Sequence, residues 1–75
     1  MGQRADRDFL AKRSVTLAGH RTSVALEPEF WAALEALAAG RGLALAALVA
    51  EVDAARPPGQ KLASALRIAA LRSRS

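Results

Sequence analysis

The stretch His20-Arg-Thr-Ser-Val-Ala-Leu-Glu-Pro-Glu-Phe-Trp-Ala-Ala-Leu34 changes its period in the middle. From Arg21 to Leu26, polar or small residues alternate with apolar ones. Side chains alternate across a strand, so Thr22, Val24 and Leu26 share one face and Arg21, Ser23 and Ala25 the other. After Glu27-Pro28 the spacing turns helical: Phe30, Leu34 and Leu37 fall at i, i+4 and i+7, with Trp31 and Ala38 beside them. Pro28 suits the first turn of a helix, where its missing N–H loses nothing. One short strand therefore runs straight into an amphipathic helix. A lone strand leaves its backbone groups unsatisfied, so it needs a partner.

Length bears on what that partner is. With 75 residues the chain is one small domain with a thin core, and it has no cysteine for a disulfide or a thiolate metal site. Much of its apolar content is alanine, which favours helix but buries little area. A second copy is the usual remedy for so small a scaffold. The charge is unevenly spread. Residues 1–26 carry five basic against two acidic residues, residues 27–56 two against five, and residues 57–75 four basic and no acidic residue, for a total of +4. Basic ends flank an acidic helical middle, so the chain can show a basic face while its helices stay solvated.

Along the chain, residues 1–11 read as a flexible N-terminal arm and residues 12–56 as the core unit. Residues 12–17 alternate again, with Val15 and Leu17 on one face and Ser14 and Thr16 on the other. Ala18-Gly19 could fold this segment back on Arg21–Leu26 as a hairpin, or the segment could lie extended along a partner. The first helix is predicted over 28–40, ended by Gly40-Arg41-Gly42. A second follows over 45–55, with Leu45, Leu48, Val49 and Val52 on one face and Ala44 as a weak N-cap, and Arg56-Pro57-Pro58-Gly59 stops it. A C-terminal helix over 60–72 places Leu62, Leu66 and Ala69 on one face, with Ala65 and Ile68 alongside. The chain is thus mostly α with a short β-ribbon.

No nucleophile–base pair, phosphate-binding glycine loop or paired-carboxylate arrangement stands out, and Glu51 and Asp53 are too close in sequence to converge from one helix. No enzyme is expected, and no cofactor. His20 is the only histidine, so no metal site is expected either. No apolar run spans a bilayer and no signal pattern opens the chain, which predicts a cytoplasmic protein that avoids membranes.

A strand leading into two helices through a glycine-containing turn resembles the ribbon-helix-helix DNA-binding proteins, of which the Arc-type repressors are the best known. The details are similar to small bacterial ribbon-helix-helix domain proteins of poorly defined function. They lie in Lys12-Arg-Ser-Val-Thr-Leu-Ala-Gly-His-Arg-Thr-Ser-Val24, in Leu-Glu-x-Glu-Phe-Trp at Leu26 to Trp31, in Leu45-Ala-Ala-Leu-Val-Ala-Glu-Val-Asp53, and in Leu62-Ala-Ser-Ala-Leu-Arg67. The resemblance implies an intertwined homodimer with an intersubunit antiparallel sheet, to which this chain could add an N-terminal strand and a third C-terminal helix. The dimer core would hold Val24, Leu26, Phe30, Trp31, Leu34, Leu37, Leu45, Leu48, Val49 and Val52.

By the same resemblance the ribbon enters the major groove of double-stranded DNA. Arg21, Ser23 and Ala25 would contact bases: the guanidinium reads guanine, the hydroxyl a base edge and the methyl a thymine methyl. Leu43, Ala44 and Leu45, at the N-terminus of the second helix, would hold a phosphate with Arg41 nearby, and Lys12 and Arg13 would clamp others. The implied function is a sequence-specific transcriptional regulator, a repressor or autoregulator, with possible higher assembly on DNA. The alternative is an antitoxin-like or adaptor dimer whose partner is another protein.

Overall fold

The computed structural model describes residues 10–73, so most of the expected arm and Arg74 lie outside the described residues. Strand β1 (Ala11–Leu17) and strand β2 (His20–Leu26) form an antiparallel hairpin, in register from Ala11 opposite Leu26 to Leu17 opposite His20. Its turn has two residues, Ala18 with φ 52° and Gly19 with φ 84°. Two successive left-handed residues make a type I′ turn, whose twist matches that of paired strands. Of the two readings open for residues 12–17, the hairpin is the one adopted. Ala11, expected at the end of the arm, belongs to the strand, and its carbonyl accepts a hydrogen bond from Trp31 Nε1–H at 2.7 Å.

The turn also fixes the hydrogen-bond phase. The residues flanking a two-residue turn form a hydrogen-bonded pair, and such pairs alternate along an antiparallel ladder. Leu17/His20, Val15/Thr22, Arg13/Val24 and Ala11/Leu26 are therefore the bonded pairs. The backbone groups of Lys12, Ser14 and Thr16 point to one open edge, and those of Arg21, Ser23 and Ala25 to the other.

Helix α1 (Pro28–Gly40) begins where Glu27 is still extended and its carbonyl accepts from the amides of Phe30 and Trp31, at 2.9 and 3.2 Å. It ends in a Schellman arrangement: Leu43 N–H donates to the Ala38 carbonyl at 2.8 Å and Gly42 N–H to that of Ala39 at 3.1 Å, with Gly42 at φ 70°. Helix α2 (Leu45–Ala55) starts after an extended Ala44 that offers no side-chain cap, and stops at Arg56 before Pro57. Helix α3 (Leu62–Ser73) completes the chain. No single helix among the described residues is long and apolar enough to cross a membrane.

The core closes within one chain. Val15, Leu17, Val24 and Leu26 line the helix-facing side of the hairpin, and Trp31, Leu34, Ala38, Leu48, Val49, Leu66 and Ala70 pack against them. Of the residues expected at a dimer core, Val24, Leu26, Trp31, Leu34, Leu48 and Val49 are buried here by a single copy, and Phe30, Leu37, Leu45 and Val52 are half-buried against the same cluster. β1 and α3 supply the cover that composition assigned to a second chain, and Leu66 is fully buried.

Two outcomes follow for stability in urea. Leu66→Ala should cost about 2–5 kcal/mol, the usual range for a buried leucine, whereas a loss under 1 kcal/mol would mean that α3 is an appendage. Ala18→Asn should raise the midpoint, because asparagine tolerates the left-handed region that costs alanine about 1 kcal/mol. An unchanged or lower midpoint would refute the type I′ assignment.

Candidate nucleic-acid interface

The face of the hairpin turned away from the helices carries Lys12, Ser14 and Thr16 on β1 beside Ala25, Ser23 and Arg21 on β2. Ser14 sits opposite Ser23, Thr16 opposite Arg21, and Lys12 opposite Ala25. All are exposed except Ala25, which is half-buried. Among the described residues no carboxylate shares this face. Two cations, three hydroxyls and a methyl group therefore form one polar, positively charged strip.

The rest of the charge map sharpens that strip. Arg13 has the parity of Val15 and Leu17, so it turns toward the helices. Its Nη1 donates to Glu35 at 2.6 Å and its guanidinium carbon lies 5.0 Å from the centre of the Trp31 ring. Lys12 and Arg13, expected together as phosphate clamps, are thus split between the two sides of the sheet. Arg41 donates to both carboxylate oxygens of Glu51, at 2.6 and 3.0 Å. Arg56 donates through Nε and Nη2 to Asp53 at 3.1 and 2.8 Å, and through Nη1 to the Gln60 carbonyl. Arg67 Nε donates to Glu27 at 3.0 Å, and its guanidinium sits 5.7 Å from the Phe30 ring centre. Four arginines are thereby committed to Glu35, Glu51, Asp53 and Glu27. Among the described residues Lys12, Arg21, Lys61 and Arg72 form no salt bridge, and the first two both lie on the outward strip.

At the start of α2, Leu43 N–H is already engaged by the Ala38 carbonyl in closing α1. Of the three residues expected to hold a phosphate there, Ala44 and Leu45 keep amides that no other backbone group takes among the described residues. His20 is exposed beside the turn, and no group of three metal-binding side chains occurs among the described residues.

Ser14 and Thr16 were not singled out from sequence as interface residues. Their alternation with Val15 and Leu17 was visible, but their place beside Ser23 and Arg21 depends on the register of the hairpin. A separate concavity runs along α1 past Ala32, Ala33, Ala36 and Gly40, with Glu29 and Arg41 along it.

Compared with known protein families, residues 10–73 match the one described as a ribbon-helix-helix domain, which takes in both strands and all three helices. No curated protein and no solved structure matches the chain.

The ion pairs leave a mark in acid. The hydrogen bond from Arg41 holds the Glu51 carboxyl below its ordinary 4.5. A backbone hydrogen bond, and then Arg67, do the same for Glu27. A carboxyl with a lowered pKa in the folded state contributes stability that is complete above its unfolded value and drains as pH falls through the folded one. Stability should therefore be flat above pH 4.5 with respect to these two groups and decline below it. In acid titrations followed by circular dichroism, the double variant Glu27→Gln, Glu51→Gln should show a shallower decline. An unchanged acid limb would show that the two pairs carry no stability.

Proposed function

The chain belongs to the ribbon-helix-helix domain family, and on that premise we propose that it binds double-stranded DNA sequence-specifically as a homodimeric transcriptional regulator. The observation that carries this reading is the outward strip of the hairpin: among the described residues Lys12 and Arg21 have no acidic partners, hydroxyls lie between them, and the four arginine salt bridges are drawn elsewhere. A two-stranded ribbon fits the major groove, and guanidinium, hydroxyl and methyl groups are what its base edges select.

In this reading Arg21 forms a bidentate contact with guanine, Ser23 bonds a base edge, and Ala25 rests on a thymine methyl. Lys12 neutralises a phosphate. The amides of Ala44 and Leu45 offer a phosphate the positive end of α2. Arg41 joins as a phosphate contact by exchanging Glu51 for a phosphodiester, whereas Arg13 stays on the helix side of the sheet with Glu35 and Trp31. The Arg41–Glu51 pair is about half exposed and screened by solvent, so the exchange costs little. The second copy pairs with the open edge of β2, placing two readers side by side. Such a dimer, non-enzymatic and cytoplasmic, suits a bacterial repressor or autoregulator that occupies its operator and assembles further along it.

Gel shifts on fragments enriched from genomic DNA test this. Arg21→Ala should lose discrimination between the preferred site and other duplexes by about 1–3 kcal/mol. Lys12→Ala should weaken binding to all sequences alike and reduce the salt slope by about one. If neither substitution alters the shift, the hairpin is not the DNA surface.

A further inference from the structure

We propose that β1 does not read bases but grips the walls of the groove, with Lys12, Ser14 and Thr16 binding phosphodiester oxygens at the outer edges of a four-stranded sheet. This rests on the dimeric DNA-binding reading above and adds a binding site to it.

The hairpin has two open edges. That of β2 exposes the backbone groups of Arg21, Ser23 and Ala25, and among the described residues no backbone group of another element bonds to them. An antiparallel copy related by a two-fold axis satisfies all of them in a single register: Ser23 opposite Ser23, and Arg21 opposite Ala25. No like charges meet across that seam. The β1 edge carries the adjacent cations Lys12 and Arg13, a common guard against strand addition, whereas Thr22 to Ala25 on β2 are uncharged. The dimer sheet therefore runs β1-β2-β2-β1.

Width then assigns the roles. Strands lie about 4.8 Å apart, so the two β2 strands fit a groove about 12 Å wide, while the outer strands, about 14 Å apart, overlie its phosphate walls. The side chains suit those places. β2 presents the planar fork of Arg21, which base edges reward. β1 presents an ammonium and two hydroxyls, which bond phosphate oxygens without distinguishing sequence.

The chain has no cysteine, so single-cysteine variants report the register cleanly. In the expected seam the two Ser23 Cα atoms lie about 5.5 Å apart, within disulfide reach. Ser23→Cys should cross-link to a covalent dimer under mild oxidation, and Ser14→Cys should not. The double variant Ser14→Ala, Thr16→Ala should bind every duplex roughly tenfold more weakly, by loss of charge-assisted hydrogen bonds, with its preferred site unchanged. Cross-linking through Ser14→Cys, a changed base preference in the double variant, or an unchanged affinity would each overturn the proposal. If those results came while Arg21→Ala still lost discrimination, DNA reading through β2 would stand without it. If the unmodified chain bound no duplex at any salt, both would fall.

Discussion

The two-residue turn at Ala18-Gly19 is the constraint on which the outward strip depends. Its left-handed residues set Leu17 against His20, and every other cross-strand pair follows. A slip of one residue would send Val15 and Leu17 to solvent and bring Ser14 and Thr16 onto Trp31 and Leu34. Burial of the apolar face and exposure of the polar one therefore select the same register. Among the described residues the turn is also the one place where a non-glycine residue takes positive φ, at Ala18. Local strain of about 1 kcal/mol is held there by the packing of four hairpin side chains.

Electrostatics supports the same division by subtraction. Exposed ion pairs such as Arg13–Glu35 and Arg41–Glu51 add little stability, because solvent screens them. Their consequence is positional. They hold Glu27, Glu35, Glu51 and Asp53 to partners on or around the helices, so among the described residues no acid dilutes the positive potential of the hairpin's outward face. A chain of modest net charge thus presents a basic strip, because the acidic middle of the sequence is neutralised locally.

Much of this was legible in the residues. The change of period at Glu27-Pro28, the Gly42 stop and the Arg56-Pro57 break mark the ends of regular elements through backbone chemistry that tertiary contacts rarely override. Harder to read was which surface β1 and α3 would serve. Ala65 and Ala70 are buried because small side chains allow close helix approach, and alanine at an exposed position looks the same in a sequence. Arg13 is the instructive miss. Its parity with Val15 and Leu17 was in plain view, yet its charge suggested a place beside Lys12. The aromatic face of Trp31 and the carboxylate of Glu35 receive it on the helix side, a combination that appears only when α1 is laid across the sheet.

The closed core changes what a second copy is needed for. In a chain whose helices cover their apolar faces only across a dimer, folding and association are one event. Here Trp31, Leu34, Leu48, Val49 and Leu66 are covered by one protomer, and what a second copy can still cover is the backbone edge of β2 together with the half-buried Phe30, Leu37, Leu45 and Val52. An edge in water already hydrogen-bonds to solvent, so pairing it contributes only modestly per bond. Association on those terms is concentration-dependent and separable from folding. In the proposed complex, a duplex that binds two reading faces at once would stabilise the pair by mass action and make occupancy of the site cooperative in protein concentration. Such coupling would give a regulator of the proposed kind a steep response to its own concentration.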